Sequence, residues 1–148
     1  MDLQELHDKV DIHELLARYA RAVDSKDWGL YRSVFTPDAF IDYSSAGAAA
    51  GRRDEVAAWL EEAFTAMPMT QHFITNVEIN LDGDRAKVRA MFYNPMQLPG
   101  MAELSYCGGY YHHDLVRGPE GWKSERLVEE NLWFVNAPQP SSPEAGPG

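Results

Sequence analysis

The sequence has few cysteines, little positive charge and no long apolar run, and each shortage excludes a class of protein. Its single cysteine, Cys107, excludes an internal disulfide and a cysteine-based zinc site, and it fits a reducing compartment. Lys and Arg number 13 against 23 Asp and Glu, and the formal net charge of −10 disfavours binding to nucleic acid or to an anionic membrane. A run of about 18 apolar residues and a signal peptide are both absent. A soluble cytoplasmic protein is expected.

The chain also lacks the short motifs that mark common cofactor and nucleophile sites. It contains no GxGxxG, no P-loop and no GxSxG. His72, His112 and Asp114 could in principle meet at a metal, but no sequential ligand motif joins them. We therefore expect neither a metal nor an organic cofactor, which leaves acid–base chemistry or plain ligand binding.

Hydrophobic periodicity separates a helical first half from an extended second half. Helices are predicted over roughly residues 7–24, in WGLYRSVF and in RRDEVAAWLEEAFTAM, with a short strand, FIDYS, between the second and the third. Four long strands are predicted from residue 70 onward: TQHFITNVEINL, AKVRAMFYNPMQL, LSYCGGYYHHDLVR and WKSERLVEENLWFV. An Asp-Gly turn joins the first two, and Gly108 with Gly109 indicates a bend or bulge in the third.

This order of elements indicates one α+β domain over residues 1–136, with three N-terminal helices packed on a mostly antiparallel sheet. A strongly curved sheet would form a cone with a pocket between the two layers. The Pro-, Gly- and Ser-rich tail, residues 137–148, is predicted to be disordered. Long strands on a curved sheet seldom stay uncovered, so a homo-oligomer packed through the sheet, either a dimer or a trimer, is also expected.

His72 is the first candidate for chemistry because it lies in TQHFITN, a segment otherwise typical of a packed strand. A single histidine in such a setting is more often structural than catalytic. Asp24, at the end of the first helix, would change this if it bound the imidazole, because a carboxylate fixes the tautomer and stabilises the imidazolium. The alternative is that Asp24 or Ser25 caps the second helix. The sequence leaves both readings open.

Two further polar groups are candidates for a pocket. Tyr43 could donate a hydrogen bond to a substrate carbonyl, or it could be a half-buried aromatic residue with a solvated hydroxyl. In the segment YYHHDL, alternation places Tyr110, His112 and Asp114 on one face of a strand and Tyr111 and His113 on the other. Alternation alone does not rank the two faces.

DSKDW after the first helix, the FIDY strand, TQHFITN and the late GW-containing hairpin together resemble one known family. They are similar to the SnoaL-like branch of the nuclear-transport-factor-2-like superfamily, and within it especially to scytalone dehydratase, over residues 8–135. The resemblance implies a cone-shaped α+β barrel with a deep pocket for a small molecule. It also implies that Asp24 is the pocket aspartate, His72 the catalytic histidine and Tyr43 a tyrosine that polarises the substrate carbonyl through water.

Other positions resemble the dehydratase less closely. His112 and Asp114 align with a serine and an asparagine, Val23 replaces a second tyrosine, and Met96 replaces a second histidine. The C-terminal helical lid of that enzyme has no counterpart, so scytalone itself is not the implied substrate. The Asp–His pair is also similar to that of lindane dehydrochlorinase, in which the histidine removes a proton during elimination.

The resemblance thus implies a dehydratase-like lyase that acts on a small cyclic, largely apolar carbonyl compound. Its expected catalytic residues are Asp24, His72 and Tyr43. The residues expected to bind substrate are Tyr19, Trp59, Phe64, Asn94, Met96, Tyr110, His112, Asp114, Leu127 and Asn131, with Met91 and Phe134 as further apolar wall. The alternatives are an isomerase like ketosteroid isomerase, a polyketide cyclase with Asp114 as base, and a non-catalytic binding protein.

Overall fold

The computed structural model describes residues 1–138, and most of the predicted disordered tail lies outside them. The elements in chain order are α1 (Leu3–Asp24), α2 (Trp28–Ser33), β1 (Phe35–Asp42), a 3₁₀ turn (Ser44–Ala46), β2 (Ala50–Arg52), α3 (Arg53–Phe64), β3 (Met69–Thr70), β4 (Phe73–Asp82), β5 (Arg85–Gln97), β6 (Ser105–Gly118) and β7 (Gly121–Val135). No helix within residues 1–138 is long and apolar enough to cross a membrane.

The strands form one curled sheet with the order β2-β1-β7-β6-β5-β3, and β4 also pairs with β5. All pairings are antiparallel except β1 with β7, which is parallel. The three helices pack against this sheet to form a half-barrel. The predicted cone-shaped α+β fold is confirmed.

Helix α1 begins about four residues before its predicted start because a capping box fixes its N-terminus. The Asp2 side chain accepts from the Glu5 backbone N–H at 2.8 Å, and the Glu5 carboxylate accepts from the Asp2 N–H at 2.8 Å. At the other end, Asp27 caps α2 by accepting from the Leu30 N–H at 3.0 Å. The reading in which Asp24 or Ser25 caps α2 is therefore wrong, and the Asp24 carboxylate is free for another role.

The strand predicted to run through TQHFITN is interrupted at His72. Strand β3 ends at Thr70 and β4 begins at Phe73. The backbone N–H of His72 donates to Asp24 Oδ2 at 2.8 Å instead of to a neighbouring strand. A side-chain acceptor that competes for a backbone donor breaks the ladder. His72 is thus in a strand break and not in the middle of a strand, which corrects the expectation.

A bulge bends the β6–β7 pair where two glycines were predicted to do so. Gly108 pairs with Trp133 and Gly109 pairs with Asn131, so Leu132 is an extra residue on β7 and is 57% exposed. A Cβ atom on Gly109 would overlap the carbonyl oxygen of Glu130, and the close approach of the two strands therefore requires glycine. The predicted bend is confirmed.

The outer face of the sheet carries a cluster of aromatic side chains, the outer aromatic cluster, formed by the exposed Phe73, Tyr93 and Trp133 and the half-buried Tyr106. The Tyr93 ring lies 5.9 Å from that of Phe73, 6.3 Å from that of Tyr106 and 6.0 Å from that of Trp133. Contiguous apolar surface of this kind is typical of an interaction site. The homo-oligomer packed through the sheet stays a prediction.

The core beneath the sheet contains a histidine with an unpaired nitrogen. His113 Nδ1 lies 2.9 Å from the Ser124 hydroxyl, which itself donates to the Arg126 carbonyl at 3.0 Å. The hydroxyl has one hydrogen, so Nδ1–H must donate to it and Nε2 is left as a buried acceptor without a partner in residues 1–138. Burial lowers the pKa of His113 to about 3, and the side chain is neutral at physiological pH.

We expect His113 to weaken the fold at acidic pH. The folded-state pKa lies below the ordinary value of 6.5, so the unfolded chain binds more protons and stability falls as pH drops from about 6.5 toward 3. The free energy of unfolding of the native protein should fall by about 1.4 kcal/mol more per pH unit than that of His113→Asn. Urea unfolding at pH 7, 6, 5 and 4 measures both slopes, and parallel slopes would contradict the prediction.

Candidate functional site

A cavity of about 310 Å³ lies between the helices and the concave face of the sheet. Its wall is mostly apolar, and its apolar members are Val23, Ala46, Ala48, Trp59, Leu60, Ala63, Phe64, Met67, Phe92, Met96, Leu98 and Phe134. A few polar side chains interrupt this wall: Tyr19, Tyr43, Thr70, His72, Asn94, Cys107, Tyr111 and Glu129. Apolar walls with a small number of placed polar groups are typical of small-molecule sites.

His72 and Asp24 form a hydrogen-bonded pair at this wall. The Asp24 carboxylate accepts from His72 Nδ1 at 2.6 Å, from the His72 backbone N–H at 2.8 Å and from the Thr70 hydroxyl at 2.9 Å. Because a carboxylate only accepts, the hydrogen of the neutral imidazole lies on Nδ1 and Nε2 carries a lone pair. The side chain of His72 is 7% exposed and lines the cavity. In the neutral form of the side chain, Nε2 is therefore the ring nitrogen that can accept a hydrogen bond or a proton.

Three tyrosine hydroxyls form a chain beside the pair. The hydroxyl of Tyr43 lies 2.8 Å from that of Tyr19 and 2.7 Å from that of Tyr31, and Tyr19 and Tyr43 line the cavity. Burial raises the pKa of all three well above the usual value, so all stay protonated at neutral pH. Three hydroxyl hydrogens serve two internal bonds. One hydrogen is left over, and it can reach a ligand in the cavity when it lies on Tyr19 or Tyr43.

Glu129, on β7, is a cavity residue that the sequence analysis missed. It is 9% exposed, and its carboxyl makes no hydrogen bond or ion pair within residues 1–138. Burial raises its pKa to about 7. Glu129 could have been predicted from the sequence. Leu127 and Asn131 were both expected to face the pocket, and every second residue of a strand points to the same face, which includes Glu129.

Comparison with known proteins places this chain in a family. The sequence profile of the SnoaL-like domain family matches residues 4–128. The chain belongs to this family. An uncharacterized protein of Mycobacterium tuberculosis, Rv2910c, is 35% identical over 130 residues, which cover 87% of this chain and 88% of the relative. The resemblance found in the sequence is confirmed.

Solved structures share the same architecture. The Kfla4162 protein of Kribbella flavida superposes with a TM-score of 0.81 at 28% identity, covering 89% of this chain and 95% of that one. A candidate scytalone dehydratase from Novosphingobium aromaticivorans gives 0.80 at 19% identity, with coverages of 99% and 96%. A hexachlorocyclohexane dehydrochlorinase, LinA type 2, gives 0.82 at 20% identity, with coverages of 98% and 99%. The last two show likeness of fold.

The SnoaL-like domain brings most of the predicted site residues to one cavity. Those that line it are Tyr19, Tyr43, Trp59, Phe64, His72, Asn94, Met96 and Phe134. Asn94 is buried, and its Oδ1 has no hydrogen-bond partner within residues 1–138. A buried amide without a partner is costly, and a ligand donor would satisfy it. The roles of these residues toward a substrate stay predictions.

Three predicted binding residues lie on the opposite face of the sheet, which corrects the expectation. Tyr110 stacks under the guanidinium of Arg89, 4.0 Å from its ring centre. His112 Nε2 lies 2.8 Å from the Glu130 carboxylate, and Asp114 lies 3.1 Å from the Lys87 ammonium. The reason is that the other face of β6 is the buried one. The residues that alternate with these three occupy the inner face of the sheet, and they are Cys107, Tyr111, His113 and Leu115.

Three more residues expected near the substrate do not line the cavity. Leu127 is fully buried in the core, and Met91 is exposed on the outer face of the sheet. Asn131 is half-buried beside the bulge, outside the cavity wall. The unpredicted Cys107 does line the cavity, but burial raises the pKa of its thiol to about 11, so it stays a neutral thiol.

Proposed function

We propose that this SnoaL-like domain is a dehydratase-type lyase that uses Asp24 and His72 for proton transfer. The observation that carries the proposal is the 2.6 Å contact between Asp24 and His72 Nδ1 at the wall of an apolar cavity. Two structures of the same fold are named for eliminations, one as a dehydratase and one as a dehydrochlorinase. The substrate class is a small cyclic, largely apolar carbonyl compound that bears a hydroxyl on the β-carbon.

The first step is proton abstraction. His72 Nε2 takes a proton from the carbon next to the carbonyl, and Asp24 stabilises the imidazolium that forms. The negative charge moves to the carbonyl oxygen, which accepts the remaining hydrogen bond of the tyrosine chain. That donor is Tyr43 when both Tyr19 and Tyr31 donate to it, and a hydroxyl that accepts two hydrogen bonds is a stronger donor.

The second step expels water. The enolate re-forms its carbonyl, a carbon–carbon double bond forms between the α- and β-carbons, and the bond from the β-carbon to its hydroxyl breaks. In the simplest case the His72 imidazolium gives its proton to the hydroxyl, which leaves as water, and His72 and Asp24 return to their starting charges. Each step includes a proton transfer, and apolar walls such as those of Trp59 and Phe64 strengthen the hydrogen bonds by excluding solvent.

An isomerase is the second candidate. The tyrosine chain supports it, because double-bond migration passes through the same enolate; His72 would return the proton to a different carbon, and no leaving group is needed. A polyketide cyclase with Asp114 as base has no such support, since Asp114 is bound to Lys87 on the outer face. A non-catalytic binding protein would use the same cavity without turnover.

Turnover and product identity test the proposal. The native protein is incubated with a panel of small cyclic β-hydroxy ketones and unsaturated cyclic ketones, and the products are analysed by mass spectrometry. A product lighter by one water supports the lyase, and an unchanged mass with a moved double bond supports the isomerase. Asp114→Asn should leave the rate unchanged. Tight binding without turnover would contradict both activities, and loss of turnover in Asp114→Asn would favour the cyclase.

A further inference from the structure

We propose that Glu129 is a second proton-transfer group of this cavity, a protonated carboxyl that gives its hydrogen to the departing hydroxyl of the substrate. The inference rests on the proposed dehydration and adds a general acid to it. Under this assignment His72 removes the proton from carbon, and a separate side chain serves the leaving group.

The burial of Glu129 without a partner is the main observation. Asp24, the other carboxyl beside the cavity, is fixed by Thr70 and His72, and the buried Asp8 is bound to Arg117 Nη1 at 2.6 Å. Glu129 has no comparable cation or donor within residues 1–138, although it is more than nine-tenths buried and its side chain lines the cavity. A carboxyl taken out of water without a counter-charge favours its neutral, hydrogen-donating form.

The groups around Glu129 favour the same form. They are Tyr19 on α1, Tyr31 on α2, Asp42 on β1, and Cys107 and Tyr111 on β6. Four of these are neutral, and Asp42 is a like charge that adds to the effect of burial on the pKa of Glu129.

The Asn131 amide opposes this effect, but its Nδ2 reaches no acceptor in residues 1–138 with hydrogen-bond geometry. The resulting pKa of Glu129 is about 7. A general acid is most effective when its pKa lies near the working pH.

The backbone that follows Glu129 is fixed by one side chain. The Ser45 hydroxyl donates to the Glu129 carbonyl at 2.6 Å and accepts from the Asn131 N–H at 2.9 Å. This single side chain, from the 3₁₀ turn after β1, holds β7 on either side of residue 130. Rigid support of this kind keeps a functional carboxyl in one position relative to the cavity.

The proton balance of the reaction closes with two groups. His72 Nε2 gains the proton from the α-carbon, the bond from the β-carbon to oxygen breaks, and the Glu129 proton joins the leaving hydroxyl to make water. The cavity then holds an imidazolium and a carboxylate. Transfer of the imidazolium proton to Glu129 through water restores both groups for the next turnover, with no oxidant or reductant.

A pair of probes with different leaving groups tests this role. The probes are the cyclic β-hydroxy ketone turned over most rapidly by the native protein and its acetate ester, which leaves without needing a proton. Glu129→Gln should lower kcat/KM for the hydroxy ketone by about 10²–10³-fold and change that for the ester by less than about threefold. His72→Gln should lower both. Equal losses with both probes in Glu129→Gln would overturn the role of Glu129 as the acid.

A stability measurement checks the protonation of Glu129 without any substrate. Its folded pKa of about 7 exceeds the ordinary 4.5, so the folded state holds the proton longer, and the stabilisation present below about pH 4.5 is lost as pH rises to 7. The unfolding equilibrium constant of the native protein should rise relative to that of Glu129→Gln by up to about tenfold per pH unit across this interval.

These measurements separate the two proposals. Parallel stability curves would mean an ionised Glu129 and would overturn its role as an acid, while leaving the Asp24–His72 mechanism intact. If the stability curves differ as expected but His72→Gln turns over substrate at the native rate, the proposed lyase mechanism is contradicted. The role of Glu129 as its general acid then fails with it, although its protonation stands.

Discussion

Replacing His72 with glutamine should lower kcat/KM for the cavity's substrate by about 10²–10⁴-fold, the usual contribution of a positioned general base. Glutamine approximates the length of the imidazole and can still donate to Asp24, but its side-chain nitrogen carries no lone pair that accepts a proton. The measurement is steady-state kinetics on any compound that the native protein converts. Circular dichroism and thermal unfolding verify that the variant is folded.

The same mechanism predicts a comparable loss in Asp24→Asn. In Asp24→Asn the amide nitrogen would take the place of Oδ1 and donate to His72 Nδ1. The ring hydrogen would then lie on Nε2, which is the nitrogen that must be unprotonated to accept a proton from the substrate. Nitrogen-15 NMR of the ring reports the tautomer directly. The double variant should be little worse than either single one, because the two residues act as a unit.

A matched control comes from a second histidine–carboxylate pair. His112 and Glu130 lie 2.8 Å apart, but on the outer face of the sheet. His112→Gln should leave kcat/KM within about twofold of the native value, since surface substitutions away from a site rarely have larger effects. If His112→Gln and His72→Gln had equal activity, the pair at the cavity would be structural, and the binding-protein reading would replace the lyase.

Substituting Gly109 should have the largest effect on stability. An added Cβ would overlap the Glu130 carbonyl oxygen, which is backbone and cannot move aside without separating β6 from β7. We expect Gly109→Ala to reduce the free energy of unfolding by more than about 3 kcal/mol, toward the upper end of single-residue effects. Equilibrium unfolding in urea measures this. The bulge lies next to the strand segment that carries Glu129, so ligand binding should also weaken.

Gly118→Ala, at the end of the same strand, is the matched control. A Cβ there meets nothing within 4 Å, and the residue does not adopt a positive φ. The free energy of unfolding of this variant should lie within about 0.5 kcal/mol of the native value. It should be equal or slightly higher, because alanine restricts the unfolded chain more than glycine does. Similar losses in both variants would show that glycine is needed for flexibility along β6 and not for the close approach at the bulge.

Local sequence patterns predicted most of the secondary structure and the family. The apolar spacing of Ile12, Leu15 and Tyr19 predicted α1, and β-propensity with an Asp-Gly turn predicted the long hairpin of β4 and β5. Gly108 and Gly109 predicted the bulge. These signals are readable because helix periodicity, strand alternation and turn chemistry depend on residues a few positions apart. The earlier start of α1 was also readable, from Asp2 and Glu5.

The choice of strand face needed the packed sheet. Tyr110, His112 and Asp114 have the same alternation whether they face a cavity or solvent, and burial of the residues between them decided the matter. On β7 the extra residue Leu132 changes which positions point inward, so that Phe134 and Glu129 share one face although they are five residues apart. A bulge shifts the alternation that the sequence pattern assumes.

The sequence by itself determined that this is an acidic α+β domain of the SnoaL-like family, with Asp24 and His72 as candidates for one site. Only the tertiary structure decided that these two side chains, 48 residues apart, lie 2.6 Å from each other at the wall of a cavity, and that Glu129 shares that wall. The physical reason is the distance along the chain over which each kind of signal acts. Periodicity and turn chemistry act over a few residues, whereas a hydrogen bond between distant residues and the burial of a carboxyl depend on how the whole sheet curls around the helices.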